Sequence, residues 1–265
     1  MKILTFSSIC YDYYPEIGVA FPGGNSLNLA LQIKRFSQVE VSLAGFIGTD
    51  KPADEILQLC KKNEIDTRFL IQLKGETASN KLYLTPEGER YSKPGEWQNG
   101  VKDDGFFSED AWEFILSHDV IATTCIDKHL DECIERKTKN HFLSVDFMHF
   151  NDIELMKRYL PFVNIAFFSR EKKMLKLLKK LATKTNIPVV AMLGAEGSMT
   201  FLKEKEYVQP AFQVDKVVDT TGCGDAYQAA FCYAINHSAS IQEAMYLATQ
   251  TATEVLKGIG GGFRE

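Results

Sequence analysis

Short apolar runs rich in β-branched and aromatic residues alternate with amphipathic stretches through most of the chain. The runs at 2–8, 39–46, 119–124, 141–147, 164–168 and 189–193 predict strands. Residues 26–36, 53–63, 108–116, 153–160 and 170–184 carry helical spacing between them. Strands that are apolar throughout, separated by helices, predict a mostly parallel sheet with helices on both faces. One region breaks the rhythm. From Glu76 to Ser92 polar and apolar residues alternate around a Pro-Glu-Gly turn, the mark of a hairpin with one wet face. With YYPEIGVAF at 13–21 it predicts a small β-sheet lid beside the α/β body.

Two helices are expected in the last third. Ala226, Ala229, Ala230, Tyr233 and Ala234 form a stripe at helical spacing, with Phe231 and Cys232 widening it, so this helix is apolar nearly all round and central. The second starts at Ser240, with Glu243 completing a capping box, and stops near Gly258. No linker, repeat or low-complexity segment divides the 265 residues, so a single domain over 1–265 is expected.

Composition narrows the function classes. Apolar residues make up 45% and charged residues 25%, as in a globular protein with a filled core. A net charge of −5 argues against non-specific binding to nucleic acid or to an anionic membrane. Lys172, Lys173, Lys176, Lys179 and Lys180 recur at helical spacing and read as one solvated face. The six cysteines, at 10, 60, 125, 133, 223 and 232, make no Cys-x-x-Cys pair and no zinc spacing, so reduced thiols are expected. The N-terminus does not read as a signal peptide, and no stretch approaches a membrane span. A cytoplasmic protein is the expectation.

The chemistry concentrates in DTTGCGDAYQAAF. Gly222 and Gly224 let the backbone approach a ligand without interference from a Cβ. The helix opening there has unpaired N–H groups and a positive dipole end, which together favour an anion. The same field should keep Asp225 ionised. An ionised carboxylate beside an anion site can take a proton from a hydroxyl while that hydroxyl attacks a phosphoryl group. On these residues alone, an aspartate that merely stabilises the helix end fits equally well. Neither a Rossmann fingerprint nor a Walker pattern is present.

That segment resembles the C-terminal signature of the PfkB, or ribokinase-like, carbohydrate kinases, written D-T-x-G-A-G-D, with Cys223 where alanine is commoner. FPGGNSLNLALQIKRF is similar to the family's Gly-Gly-x-x-x-Asn-x-Ala segment. AGFIGTDKPADEI resembles its Gly-x-x-G-x-D-x-x-G stretch without the final glycine, and LGAEGSM (193–199) its loop near the nucleotide. The resemblance implies the ribokinase-like α/β fold, a central mostly parallel sheet with a small β-sheet lid, and an ATP-dependent kinase using Mg2+ and a monovalent cation such as K+ near Asp219 and Thr220. It implies Asp225 as base and Gly222, Cys223 and Gly224 as anion hole. Asp12, Gly24, Asn25, Asn28 and Arg90 would face the substrate, and Ser169, Gly194, Gly197 and Thr221 the nucleotide. Read without the resemblance, Asp12 is a turn residue, Asn28 a helix-start residue and Arg90 a solvated arginine.

One family feature is absent. Where Asn-x-x-Glu normally follows the middle strand, FFSREKKM places Ser169 and Lys172, with Glu171 out of register. Lys172 either contacts phosphate or faces solvent. TASNKLYLTPEGERYSKPGEWQNGV resembles the lid of the fructoselysine 6-kinases within the family, including Arg90, Gly100 and Val101, and those relatives also carry a serine in place of that asparagine. The implied acceptor is a sugar or a fructosamine-type sugar–amine adduct, with Tyr91 and Trp97 either walling the pocket or packing the hairpin. A nucleoside or hydroxymethylpyrimidine acceptor, or a sugar-sensing protein without catalysis, remain the alternative readings. The lid's exposed face either pairs with a second copy or works alone.

Overall fold

The computed structural model describes residues 1–149, 151–169 and 172–261. Its strands are β1 (Lys2–Phe6), β2 (Cys10–Tyr14), β3 (Val19–Gly23), β4 (Glu40–Ile47), β5 (Leu70–Gln72), β6 (Ser79–Lys81), β7 (Tyr83–Leu84) and β8 (Arg90–Tyr91), followed by β9 (Val120–Thr124), β10 (Phe142–Asp146), β11 (Ile165–Ser169), β12 (Val189–Met192), β13 (Ser198–Leu202) and β14 (Lys205–Gln209). The helices are α1 (Asn25–Ile33), α2 (Lys51–Lys62), α3 (Glu109–Ile115), α4 (Leu130–Arg136), α5 (Ile153–Tyr159), α6 (Leu175–Thr185), α7 (Cys223–Asn236) and α8 (Ile241–Val255).

Among the described residues the main sheet has nine strands in the order β14-β13-β12-β11-β10-β9-β1-β4-β5. It is parallel from β12 to β5, with β13 and β14 antiparallel at one edge. The alternation of strand side chains divides the core. Ile165 and Phe167 of β11 pack with Phe231 of α7 and Met245 of α8, whereas Ala166 and Phe168 pack with Leu178 of α6. Both faces are therefore covered, which is why these strands read as continuous apolar runs. Helix α7 lies buried between α1 and α8, and Tyr233 stacks on Phe36 at 4.3 Å. The capping box of Ser240 and Glu243 is formed.

Beside the body stand two smaller sheets. β3, β2 and β6 make one, with β6 parallel to β2; β7 and β8 make the other. The segment 76–92 is thus not one hairpin. Leu82, buried and donating its N–H to Tyr13 at 2.7 Å, keeps β6 on β2, and only Tyr83–Leu84 and Arg90–Tyr91 pair across the turn. The helix expected over 170–184 begins as α6 at Leu175, after a single 3₁₀ turn at Lys172–Met174; positions 170 and 171, Glu171 included, lie outside the described residues. Its lysines are exposed, and Lys179 pairs with Glu206. All six cysteines are free, five of them buried. No helix among the described residues is long and apolar enough to cross a membrane.

Candidate active site

The loop 210–222 carries the chain from the edge of the sheet to the start of α7, and Gly222 turns it there with φ 78° and ψ −4°. No side chain caps this helix end. Its first intrahelical bond runs from the Ala226 N–H to the Gly222 carbonyl at 2.9 Å. The Gly224 and Asp225 amides precede that ladder and stay open to a ligand, while the Cys223 N–H makes only a long bond of 3.3 Å back to the Thr220 carbonyl. A Cβ on Gly222 would lie 2.4 Å from the Cα of Gly261, so the C-terminal glycine turn closes against the cradle.

Asp225 stands in the first turn of α7, where two amides from α1 hold it. Asn25 Nδ2 donates to Oδ1 at 2.7 Å and Asn28 Nδ2 to Oδ2 at 2.8 Å. Helix α1 is fixed for this task by Ser26, whose hydroxyl donates to the Phe6 carbonyl at 2.6 Å and accepts from the Ser8 N–H at 3.1 Å. Burial pushes the Asp225 carboxyl above its ordinary value, against the opposing pull of the Asn28 bond, the Arg90 charge and the Asn25 bond. The helix-end field that favours an ionised group is thus not the deciding influence. Desolvation outweighs the attractions and makes the carboxylate a stronger base. The Asn28 Oδ1 is buried without a partner.

Asp12 reaches the same region from β2. Burial pushes its carboxyl up to about 6, opposed by the Cys10 thiol bond and the Arg90 charge and reinforced by Asp225. Arg90 itself is exposed at the start of β8, its N–H donating to Thr220 Oγ1 at 3.0 Å. Gly24 does not clear room for a substrate. The space of its missing Cβ is filled by the chain's own backbone, with the Ser8 carbonyl at 2.5 Å. Tyr91 and Trp97 are exposed, the first stacked on Tyr83 at 5.5 Å and the second donating from Nε1 to Asn99 at 3.3 Å.

A cavity of about 700 Å³ opens on the other side of the α7 start. Ser169, Gly194, Gly197, Cys223 and Gly224 line it, together with Phe212 and Val214 from the loop after β14, Thr253 from α8 and Leu256 just beyond it. Its walls are apolar with polar groups at the glycine end, the make-up of a small-molecule site. Thr221 is not part of it: its side chain is buried, with Oγ1 3.0 Å from the Tyr14 hydroxyl. Lys172 sits at the rim, half in solvent, paired with Glu196 at 2.7 Å. Burial pushes the Cys223 thiol up to about 12, so it is a neutral wall residue.

Two further residues belong to this assembly and carried no motif. Asp146, at the end of β10, accepts from Asn25 Nδ2 at 3.2 Å and from Gln228 Nε2 at 2.7 Å. Tyr14 of β2 donates to Asp219 at 2.7 Å. A carboxylate closing an apolar parallel strand, as Asp146 closes β10, is itself a signal, because ligands in such sheets gather at the strands' carboxyl ends.

The profile described as pfkB family carbohydrate kinase matches residues 16–264. The fructosamine kinase FrlD of Bacillus subtilis (strain 168) is 28% identical over 99% of this chain and 93% of its own length. The fructoselysine 6-kinase of Shigella flexneri is 24% identical over 97% of this chain and 98% of its own. Among solved structures, Arabidopsis thaliana ribokinase complexed with ribose and ATP superposes with a TM-score of 0.78 at 17% identity, over 97% of this chain and 92% of that one. At that identity the likeness is one of fold.

Proposed function

This chain belongs to the pfkB family of carbohydrate kinases, and within that activity we propose that it moves the terminal phosphoryl group of ATP to a hydroxyl of a fructosamine-type sugar–amine adduct. The observation that carries the site assignment is Asp225 held by Asn25 and Asn28 at an uncapped helix start beside the cavity. The likeness to fructosamine and fructoselysine kinases over nearly the whole chain supports the acceptor class.

In this reading the nucleotide occupies the cavity, and the acceptor lies between Asp12, Arg90 and the two asparagines. Asp225 takes the hydroxyl proton as the acceptor oxygen bonds to the γ-phosphorus. The bond to the bridging oxygen breaks and ADP leaves. Amides at Gly222, Cys223 and Gly224 receive the charge that develops on the transferred group. Asp12 and Asn28 hold acceptor hydroxyls, with the partnerless Asn28 Oδ1 free to accept one.

Among the described residues no cluster of three carboxylate, histidine or cysteine side chains could hold a metal. Ser169 and Glu196 lie on the cavity wall, Glu196 paired with Lys172, so an ion carried in on the nucleotide would be held mainly by the phosphates. Magnesium bound in that way would neutralise phosphate charge.

The reading is tested by ADP release with ATP and a panel of fructosamines, free hexoses and nucleosides. The highest kcat/KM is expected for a fructosamine. A nucleoside at the top of the ranking overturns the acceptor assignment, and melting-temperature shifts with sugars but no ADP from any acceptor would favour a sensing protein. Asp225→Asn should lower kcat by about a thousand-fold, within the range for a lost general base, and leave the Kd for ATP nearly unchanged. Retained turnover in that variant removes the base assignment.

A further inference from the structure

Asp219 is completely buried in the loop before the glycine cradle, and its carboxylate is surrounded by donors. The Thr221 N–H donates to Oδ1 at 2.8 Å, and the Gly260 N–H and the Tyr14 hydroxyl both donate to Oδ2 at 2.7 Å. Tyr14 has one proton and two oxygens within reach, Asp219 Oδ2 and Thr221 Oγ1 at 3.0 Å. The charged acceptor makes the stronger bond, so the proton points at the carboxylate and the threonine hydroxyl donates to the phenol oxygen. Burial raises the Tyr14 hydroxyl above its ordinary value, which keeps it a donor.

A monovalent cation on Asp219 would need oxygen lone pairs converging on one point. Here three hydrogens converge on the carboxylate instead, taking both lone pairs of Oδ2 and one of the two on Oδ1, and a cation cannot share those directions. Among the described residues, the groups around Asp219 do not fit such an ion.

We propose that Tyr14 stands in for a monovalent cation, as a positioning residue that fixes the glycine cradle through Asp219 and makes the kinase indifferent to potassium. The linkage is short. Asp219 ties Thr221, the neighbour of Gly222, and Gly260, the neighbour of the Gly261 that closes on Gly222. Tyr14 anchors that carboxylate from the small sheet, so the frame of the cradle and the sheet that carries Asp12 share one bond. The proposal rests on the cradle being the anion hole of the proposed reaction.

The test uses the whole protein in KCl and in tetramethylammonium chloride at equal ionic strength, reading turnover and melting temperature. Wild type should give the same rate and the same melting temperature in both salts. Tyr14→Phe keeps the ring, which packs edge-on against Phe21 at 6.0 Å. Its kcat should fall about ten-fold, the worth of one hydrogen bond to a charged acceptor, with KM for ATP unchanged. KCl should then restore its rate and raise its melting temperature, because an ion now binds the opened oxygens of the native state. A wild-type rate or melting temperature that climbs with KCl overturns the proposal, as does a Tyr14→Phe variant indifferent to KCl in both readouts. Should Tyr14→Phe not fold, the wild-type pair of salts still decides. Melting needs no turnover, so a protein inactive on every acceptor would sink the functional reading and leave this one separately tested.

Discussion

Asp12 holds a buried carboxylate at the expense of stability. Its group is pushed up to about 6 from 3.8, so the folded chain binds that proton more tightly than the unfolded one. The resulting stabilisation is full below about pH 4 and is lost as pH rises through about 6. Keeping the charged form buried at neutral pH then costs at most about 3 kcal/mol. Asp12→Asn keeps the shape and removes the charge, so its melting temperature should exceed that of wild type at about pH 8 and match it at about pH 4. Its kcat/KM for the acceptor should fall. Equal melting at both pH values would show that the carboxylate is well solvated. Asp225 announced itself in sequence because glycines and an acid at a helix start are chemically unusual. Tyr14 did not, since a tyrosine among tyrosines reads as packing, and the acid that closes β10 becomes a signal only once that strand is placed in a parallel sheet. Their partners, Asn25, Gln228 and Asp219, come from distant parts of the chain.

Element boundaries follow from single backbone positions that periodicity does not encode. The strand expected over 2–8 ends at Phe6, because Ser7 takes φ 75° and turns the chain out of the main sheet toward β2. Lys203, at φ 57°, turns β13 back on β14, an edge hairpin whose polar residues hid it among loops. At α7 the decisive position is Gly222. An alanine there would face both a left-handed backbone, costing roughly 1–2 kcal/mol, and a collision with Gly261. Gly222→Ala should therefore lower the melting temperature and reduce kcat by more than stability explains, since the displaced amides are those of the cradle. A variant that melts lower but turns over at the wild-type rate would place the cradle elsewhere.

The overall architecture was legible because apolar strands between amphipathic helices leave few arrangements other than a covered parallel sheet. How the small sheets meet the body was not, since those joints are isolated bonds. Tyr14 meets Asp219, Asp50 takes the Thr77 N–H at 2.9 Å, and Gly88 rests on Val217. Gly88 has φ 82°, and a Cβ on it would sit 2.7 Å from the Val217 carbonyl oxygen. Gly88→Ala should lift the β7–β8 turn and release the bonds between Thr220 and the Gly88 carbonyl and Arg90 N–H. The nine-stranded sheet buries its own core on both faces, so its stability should hardly change. Hydrogen exchange should quicken over 85–91 and at Thr220, while β1, β10 and β11 keep their protection. With Arg90 displaced, KM for the acceptor should rise several-fold while kcat holds, because an interaction removed equally from ground and transition states leaves the chemical step alone. Exchange that quickens across the main sheet as well would mean that turn and body open as one unit, and Arg90 would then owe its position to the whole fold rather than to this joint.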